Sequence, residues 1–156
     1  MGKQRDLVRM TDEEVWDFLE NAHSLQVATI GKDGAPHLTT VWFGIRDGRI
    51  LFETYGKSQK VLNLRRDNRI AVLAEDGTTY DKLRGVSING TAEVVDENPR
   101  LTQDMRFLVQ VHFKGQTDEQ LDATAAQMAT KRVVIAVTPE KVMSWDHTKL
   151  GGKGPV

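Results

Sequence analysis

The sequence predicts a mainly β fold with helices, in which about six to seven antiparallel strands form a barrel or a strongly curved sheet with helices packed on it. Strand-like runs follow one another across Asp-Gly turns, at Asp33-Gly34 and again at Asp47-Gly48, and such turns are typical of β-hairpins. The helical segments lie outside these runs and do not alternate with every strand, so a parallel doubly wound sheet is not expected.

The size and composition of the chain restrict its class. Its 156 residues suit one domain, and we expect a single domain over residues 1–156 with flexible ends at residues 1–9 and 151–156. A hydrophobic content of 39%, a charged content of 28% and a formal net charge of -1 are typical of a globular protein without an overall attraction to nucleic acid or membranes.

Single residue types exclude or disfavour several kinds of chemistry. The absence of cysteine excludes disulfides and thiol nucleophiles and fits a reducing compartment. The histidines are scattered without the spacing of metal ligands, so no metal site is predicted. They are His23, His37, His112 and His147. No run approaches the ~18 apolar residues of a membrane span, and no signal-peptide pattern is present, so a cytoplasmic protein is expected.

The first predicted helix begins with a strong capping pattern. Thr11 is followed three residues later by Glu14, which is the spacing of a reciprocal capping box. Met10 and Val15 are placed for a hydrophobic staple across the same turn. Apolar residues then recur at helical spacing through Ala22, so this helix should pack one face on the sheet.

Three strand-like runs follow the helix, and Asp-Gly turns join them into a predicted three-stranded meander. The runs are residues 24–31, 35–45 and 49–54. In the second run, Leu38 and Trp42 should face one side of the strand, while Val41 and Phe43 face the other. A strand that is apolar on both faces needs cover on both sides.

The stretch from residue 53 to residue 67 places positive charge where a helix disfavours it. A short helix is predicted after an N-cap at Ser58, with Lys60 in its first turn and Lys57 just outside it. A helix N-terminus behaves like roughly half a positive charge, so lysines there oppose the dipole unless an anion binds. Free N–H groups, a hydroxyl and two ammonium groups together favour phosphate binding; two solvated surface lysines are the alternative interpretation.

Further strands are predicted in the second half of the chain. They cover residues 69–75, 83–95 and 132–145. Gly90 interrupts the alternating apolar face of the second of these, as a bulge or bend would. Pro139 lies within the last strand and predicts a bend or an edge there.

Two more helices are predicted between these strands. The first should have Asn98 as its N-cap and Pro99 at its first helical position. The second should begin with a capping box formed by Thr117 and Gln120.

The sequence contains no recognisable catalytic nucleophile and no acid–base pair. Walker, GxGxxG and GxSxG motifs are absent, and the carboxylates are spread over helix faces and turns, where they serve solvation and capping. If the protein is an enzyme, we expect a cofactor to carry out the difficult chemistry.

Residues 35–73 resemble the core of the flavin- and deazaflavin-binding split-barrel proteins, the superfamily of pyridoxamine 5'-phosphate oxidase. They are most similar to its branch of coenzyme F420-dependent oxidoreductases. The similarity is carried by a Pro-x-x-Thr strand, by the segment Gly56-Lys57-Ser58-Gln59-Lys60, and by the following "NLRRDxR". The ending "VMSWDHTKLGG" is similar as well. The resemblance spans about residues 10–150 and implies an antiparallel split barrel with peripheral helices.

The resemblance implies a cofactor site with two parts. The phosphate-binding positions are Thr54, Lys57, Ser58 and Lys60, with Lys60 as the main partner. The positions that line the ring system are His37, Thr39, Val41 and Trp42. Gln59 stands where oxidase relatives often have Arg, which removes one phosphate-binding charge and weakens the case for an oxidase proper. On the apolar pattern alone, Val41 and Trp42 are equally well explained as core residues.

The resemblance also implies a homodimer, because members of the superfamily hold the cofactor in a groove between two protomers. This agrees with the two-sided apolar strand. Trp145, His147 and Lys149 would then be supplied across the interface, and a disordered tail is the alternative for these residues.

The implied function is that of an oxidoreductase in which reduced F420 passes hydride to a small conjugated or unsaturated substrate. The first alternative is an FMN-binding flavin reductase or a pyridoxamine 5'-phosphate oxidase-like enzyme. The second is a non-catalytic protein that binds a flavin, a haem or a tetrapyrrole, because the acid and base residues of an enzyme are missing.

Overall fold

The computed structural model describes residues 3–152 and residue 154. The helices are α1 (Gln4–Leu7), α2 (Asp12–Asn21), α3 (Gln59–Arg66), α4 (Arg100–His112) and α5 (Asp118–Ala129). The strands are β1 (Leu25–Ile30), β2 (Pro36–Val41), β3 (Gly44–Arg46), β4 (Arg49–Tyr55), β5 (Arg69–Asp76), β6 (Arg84–Val95) and β7 (Arg132–Asp146). The flexible ends predicted at 1–9 and 151–156 fall partly outside the described residues; α1 occupies part of the first, and Val8 is buried.

The strands form one seven-stranded sheet in the order β2-β1-β5-β6-β7-β4-β3, and every pair is antiparallel. The two edge strands, β2 and β3, are consecutive in the chain and are separated only by Trp42 and Phe43. Since so short a connection must bring both edges of the sheet together, the sheet curls on itself. The predicted antiparallel barrel with helices around it is confirmed.

The predicted three-stranded meander is wrong in one respect. β1 pairs with β2, but β4 pairs with β3 and β7 and makes no pairing with β2 within the described chain. The run from 35 to 45 is broken at Trp42 and Phe43, where Phe43 is buried and Trp42 is 55% exposed. The break carries the chain from one edge of the curled sheet to the other, so the Asp47-Gly48 hairpin joins only β3 and β4.

The core has two parts, one on each face of the sheet around β4 and β7. Inside the barrel, Phe52 and Ile135 belong to the larger cluster, which α2 and α3 close. On the outer face, Leu51 and Val134 belong to a second cluster with residues of α4 and α5 such as Met105. Because the side chains of β4 alternate in this way, Thr54 faces the same side as Phe52, close to the point where the chain leaves β4 and enters α3.

Both predicted capping boxes are confirmed. Thr11 and Glu14 cap α2 reciprocally, and Thr117 and Gln120 do so for α5. At the start of α4, the predicted N-cap lies one residue too early in the chain.

Pro99, not Asn98, is the N-cap of α4, so Pro99 precedes the first helical residue, Arg100. The Asn98 side chain accepts the N–H of Thr102 at 3.3 Å, four residues on, which is too far along the helix for an N-cap contact.

The bulge predicted at Gly90 is present. The pairing of β6 with β7 shifts between Asn89, opposite Lys141, and Gly90, opposite Pro139, so that Glu140 is the extra residue. A Cβ atom on Gly90 would collide with the carbonyl oxygen of Thr138, which explains why glycine stands there.

Candidate functional site

The first turn of α3 carries the polar groups that the sequence singled out. Ser58 is the N-cap residue, as predicted, with extended backbone angles of -66° and 155°. Within the described chain its side chain does not accept an N–H of the helix; its Oγ lies 3.4 Å from Oγ1 of Thr54 on β4. The N–H groups of the first turn therefore keep no side-chain acceptor, which suits an incoming anion.

Lys60 reaches the same point. Its Nζ donates a hydrogen bond to Oγ1 of Thr54 at 3.1 Å, and Thr54 is only 6% exposed. Burial lowers the pKa of the Lys60 ammonium group, and the negative charge of Glu53 partly opposes that shift. The structure thus brings together Thr54, Ser58 and Lys60, with a half-buried cation at their centre.

A buried amide fixes α3 in this position. Asn63 is fully buried; its Nδ2 donates to Oγ1 of Thr29 on β1 at 3.0 Å, and its Oδ1 accepts from Nε2 of Gln59 at 2.8 Å. Sequence reasoning missed Asn63. The available signal was a polar residue between Val61 and Leu64, on the face of a short helix that packs inward.

The inner face of β2 supplies unpaired polar atoms. His37, Thr39 and Val41 lie opposite inward-facing residues of β1, so they point into the barrel. Nδ1 of His37 and Oγ1 of Thr39 are buried without a hydrogen-bond partner among the described residues. Such atoms are costly unless a ligand or water satisfies them. Val41 packs against the barrel core, as its apolar pattern alone also predicts.

A cleft of about 610 Å³ opens between the start of β2 and α3. Its walls are the β1–β2 turn and the first turns of α3: His37 lies on one wall, and Gln59 and Asn63 lie on the other. Gln59 precedes Lys60 directly in the chain, so the Lys60 cluster is adjacent along α3 to the wall of this cleft, although Lys60 itself does not line it. The volume is in the range of small-molecule sites in proteins.

Two of the predicted site residues lie elsewhere in the protomer. Trp42 is 55% exposed on the outer side of β2, where its ring stands 5.5 Å from that of His112 and 6.2 Å from that of His23. Lys57 is exposed and lines a second cleft, beside Tyr55. Neither side chain joins Lys60 within one protomer.

The C-terminal residues are held by their own chain. The Trp145 ring covers Gly85, where a Cβ atom would clash with it. Nδ1 of His147 lies 2.7 Å from the carbonyl oxygen of Tyr80, and Lys149 bonds to Glu14 in α2. Trp145 lies twelve residues along β7 from Val133, which pairs with Thr54, so these residues do not reach Lys60 within one protomer.

The geometry fits anion binding and the positioning of a planar molecule better than it fits acid–base catalysis. Among the described residues there is no group of three His, Cys, Asp or Glu side chains that could hold a metal ion. The helices of the described part of the chain are all too short or too polar to cross a membrane.

Comparisons with known proteins agree with this architecture. The family model for pyridoxamine 5'-phosphate oxidase matches residues 11–146. A conserved hypothetical protein of Mycobacterium tuberculosis, solved by crystallography, is 42% identical with a TM-score of 0.90, over 99% of this chain and 96% of that one. The search of curated proteins gave no match.

Two more distant solved structures share the fold. A protein named F420 reductase is 23% identical, with a TM-score of 0.63 over 85% of this chain and 98% of that one. The haem storage protein HutZ from Vibrio cholerae is 12% identical, with a TM-score of 0.65 over 84% of this chain and 92% of that one. The family match over most of the chain and the curled antiparallel sheet lead to one conclusion: the chain belongs to the pyridoxamine 5'-phosphate oxidase family of split-barrel proteins.

Proposed function

We propose that this protein is an oxidoreductase that binds the deazaflavin coenzyme F420 and acts on a small conjugated or unsaturated substrate. The observation that carries the proposal is a cleft lined by His37, whose buried Nδ1 has no partner among the described residues, and by Gln59, the residue before Lys60 and its cluster. A ligand with a phosphate group and a polar, planar ring system would satisfy both sides at once.

Each residue of the site has a definite role in this proposal. Lys60, Ser58, Thr54 and the N–H groups of the first turn of α3 hold the phosphate. His37 and Thr39 hydrogen-bond to the polar edge of the ring system. When bound, the cofactor supplies the hydride that the chain's own side chains cannot supply. No side chain is assigned as the proton donor, so the substrate takes its proton from solvent.

Two alternative functions, an FMN enzyme and a non-catalytic carrier, each have the support of a particular observation. FMN also carries a phosphate and a polar ring, and the family match supports a flavin enzyme; Gln59 in place of a cation argues against an oxidase proper. A non-catalytic haem or flavin carrier is consistent with the fold that this chain shares with HutZ.

The proposal includes a homodimer with the cofactor at the subunit interface. Leu38 is 68% exposed and Trp42 is 55% exposed on the outer face of β2. Gln26, opposite Thr40 on the same face, has a buried side-chain oxygen without a partner among the described residues. A second protomer on this face would cover the apolar side chains and bring Trp42 and Trp145 close to the neighbouring site.

Titration of cofactor-free protein with F420 and with FMN, read by fluorescence quenching, tests the proposal. We expect tighter binding of F420 and, in anaerobic stopped flow, substrate-dependent reoxidation of the reduced cofactor with at least one unsaturated acceptor. Tight FMN binding without a response to F420 would replace the proposal by the flavin alternative. Cofactor binding without reoxidation by any acceptor of a broad panel would favour the carrier.

A further inference from the structure

A second cleft, of about 490 Å³, opens where β4 ends and α5 joins β7. Tyr55, Gly56 and Lys57 form one wall, and Lys131 and Arg132 lie in the opposite one. The two walls are tied together by the backbone N–H of Gly56, which donates to the carbonyl oxygen of Lys131 at 3.0 Å. The cleft is therefore a fixed part of the fold and not a gap between two independent loops.

The charge in this cleft is predominantly positive. Lys57, Lys131 and Arg132 line it, and neither lysine forms an ion pair with any residue that the structure describes. The one acidic residue in the lining is Asp96, and its carboxylate already accepts a hydrogen bond from Arg65 at 2.8 Å. The two lysines are thus not compensated within the described part of the chain, whereas Arg132 is paired with Glu53.

Arg132 is held in a fixed orientation. Its Nη1 donates to Glu53 at 2.7 Å, and the centre of its guanidinium lies 4.1 Å from the centroid of the Tyr55 ring. Glu53 occupies only part of the donor set, because a guanidinium carries five N–H groups. A flat, pre-positioned guanidinium suits the bidentate binding of a carboxylate or a phosphate.

We propose that this cleft is an anion-binding site, separate from the Lys60 cluster, for a small molecule with at least two neighbouring anionic groups. Arg132 would bind one group through its planar fork, and Lys57 and Lys131 would bind the next. The site goes beyond the proposed function and does not depend on it, because Lys60 bonds to Thr54 and does not line this cleft.

Calorimetric titration of the cofactor-free protein with tripolyphosphate, citrate and inorganic monophosphate tests this inference. Tripolyphosphate or citrate should bind more tightly than monophosphate, and the tighter of the two identifies phosphate or carboxylate as the preferred group. Lys131→Ala should weaken that binding about tenfold, the lower range for a hydrogen bond to a charged group. These titrations are run in the Lys60→Ala background, which removes the competing phosphate site at the start of α3, and polyanion binding should persist there.

Two further variants separate a built site from general attraction between charges. Lys82→Ala removes an exposed cation outside the cleft and should have no effect on tripolyphosphate affinity. Arg132→Lys keeps a cation beside Glu53 but loses the planar fork, so it should weaken binding although the charge is unchanged. The inference is overturned if neither polyanion binds, or if Lys82→Ala weakens binding as much as Lys131→Ala does.

Discussion

Lys60 is a cation that the fold keeps half-buried, and no carboxylate of the described residues forms an ion pair with it. Its ammonium group has the neutral hydroxyl of Thr54 as its hydrogen-bond partner, and burial lowers its pKa. A charge in such a place is destabilising until an anion neutralises it. This makes Lys60 the residue whose removal separates binding from folding most clearly.

Replacing Lys60 by Ala should weaken binding of the phosphate-bearing cofactor by about 1.5–3 kcal/mol, the range for hydrogen bonds to charged groups, while the protein stays folded. Lys57→Ala is the matched control, since it removes the same charge three residues earlier on a side chain that lines the other cleft. Affinities from fluorescence titration and melting curves of both variants provide the check. Equal losses in the two variants would contradict the special role of Lys60.

His112 should make stability depend on pH. Burial is the main cause of its lowered pKa; Lys114 and His23 add to the shift, and the Phe43 backbone and Glu53 oppose it. Because the unfolded chain takes up the proton more readily, neutral His112 contributes fully to the free energy of unfolding above its ordinary pKa of 6.5. This contribution is lost as the pH decreases towards the lowered pKa of the folded protein.

We therefore expect the melting temperature of the wild type to fall between about pH 7.5 and about pH 5.5, and His112→Phe to reduce that fall. His23→Phe removes only one of the smaller causes of the lowered His112 pKa, so it should reduce the fall less than His112→Phe does. Scanning calorimetry at a series of pH values measures all three proteins. An identical slope for His112→Phe would show that other groups cause the dependence.

At the scale of single residues, the sequence predicted a site residue where that residue departs from the usual preference of its position in a helix. Lysines at a helix N-terminus are unusual, and Lys60 was found for that reason. Asn63 was missed because an asparagine in a charged eight-residue helix looks like a solvated residue. Only the tertiary contact with Thr29 reveals that its amide is buried.

At the scale of elements, α3 depends on β1 for its position. The hydrogen bonds from Asn63 to Thr29 and from Gln59 to Asn63 are the polar part of that contact, and Val61 and Leu64 are its apolar part. Asn63→Ala should cost about 1–3 kcal/mol of stability, because it leaves the buried Thr29 hydroxyl unpaired.

A double-mutant cycle with Thr29→Val tests this contact. The valine removes the partner group with little change of shape, so the double variant should be more stable than the sum of the single losses predicts. Urea unfolding of the four proteins gives the coupling energy. Simple additivity would mean that the two side chains do not interact.

The bulge between β6 and β7 gives a second prediction at this scale. Gly90→Ala places a methyl group against the backbone oxygen of Thr138, which cannot move without disturbing the sheet, so a loss of about 1–3 kcal/mol is expected. In Gly56→Ala the nearest side-chain atom would be Cγ1 of Val133 at 3.4 Å, an ordinary contact. That variant should remain close to wild type in the same urea unfolding experiment, and equal losses would argue against the steric explanation.

The elements were largely predictable, but one boundary was not. Capping boxes at Thr11 and Thr117 and the glycine at 90 have local causes, so local sequence reveals them. The break after β2 has no such cause, since Trp42 and Phe43 continue the alternation of the strand. The break is required only by closure of the sheet, which involves strands far away in sequence.

On the scale of the whole molecule, the exposed apolar face of β2 predicts self-association. Leu38→Arg should convert the proposed homodimer into a monomer, because it places a charge in the centre of the face that would be buried. Light scattering coupled to size-exclusion chromatography measures the mass directly. Leu7→Arg, which changes an exposed leucine of α1, is the control and should remain dimeric.

A wild type that elutes as a monomer at all concentrations would contradict the dimer.

The class of fold followed from turn chemistry and from the resemblance of residues 35–73, but the order of the strands in the sheet could not be predicted. Strand order is a property of long-range pairing, such as that of β7 with both β4 and β6, and hydrophobic periodicity carries no information on it.

The two-residue joint at Trp42 and Phe43 has a consequence for how the chain can vary. A few inserted residues there would lengthen the short connection that holds the two edge strands, β2 and β3, close together. The unpaired backbone N–H and C=O groups of these strands would then become available to other molecules. Lengthening this joint should therefore promote fibre-like aggregation, whereas insertions in the turn at Lys32-Asp33, which joins two strands paired with each other, should change the cleft that this turn borders without promoting aggregation.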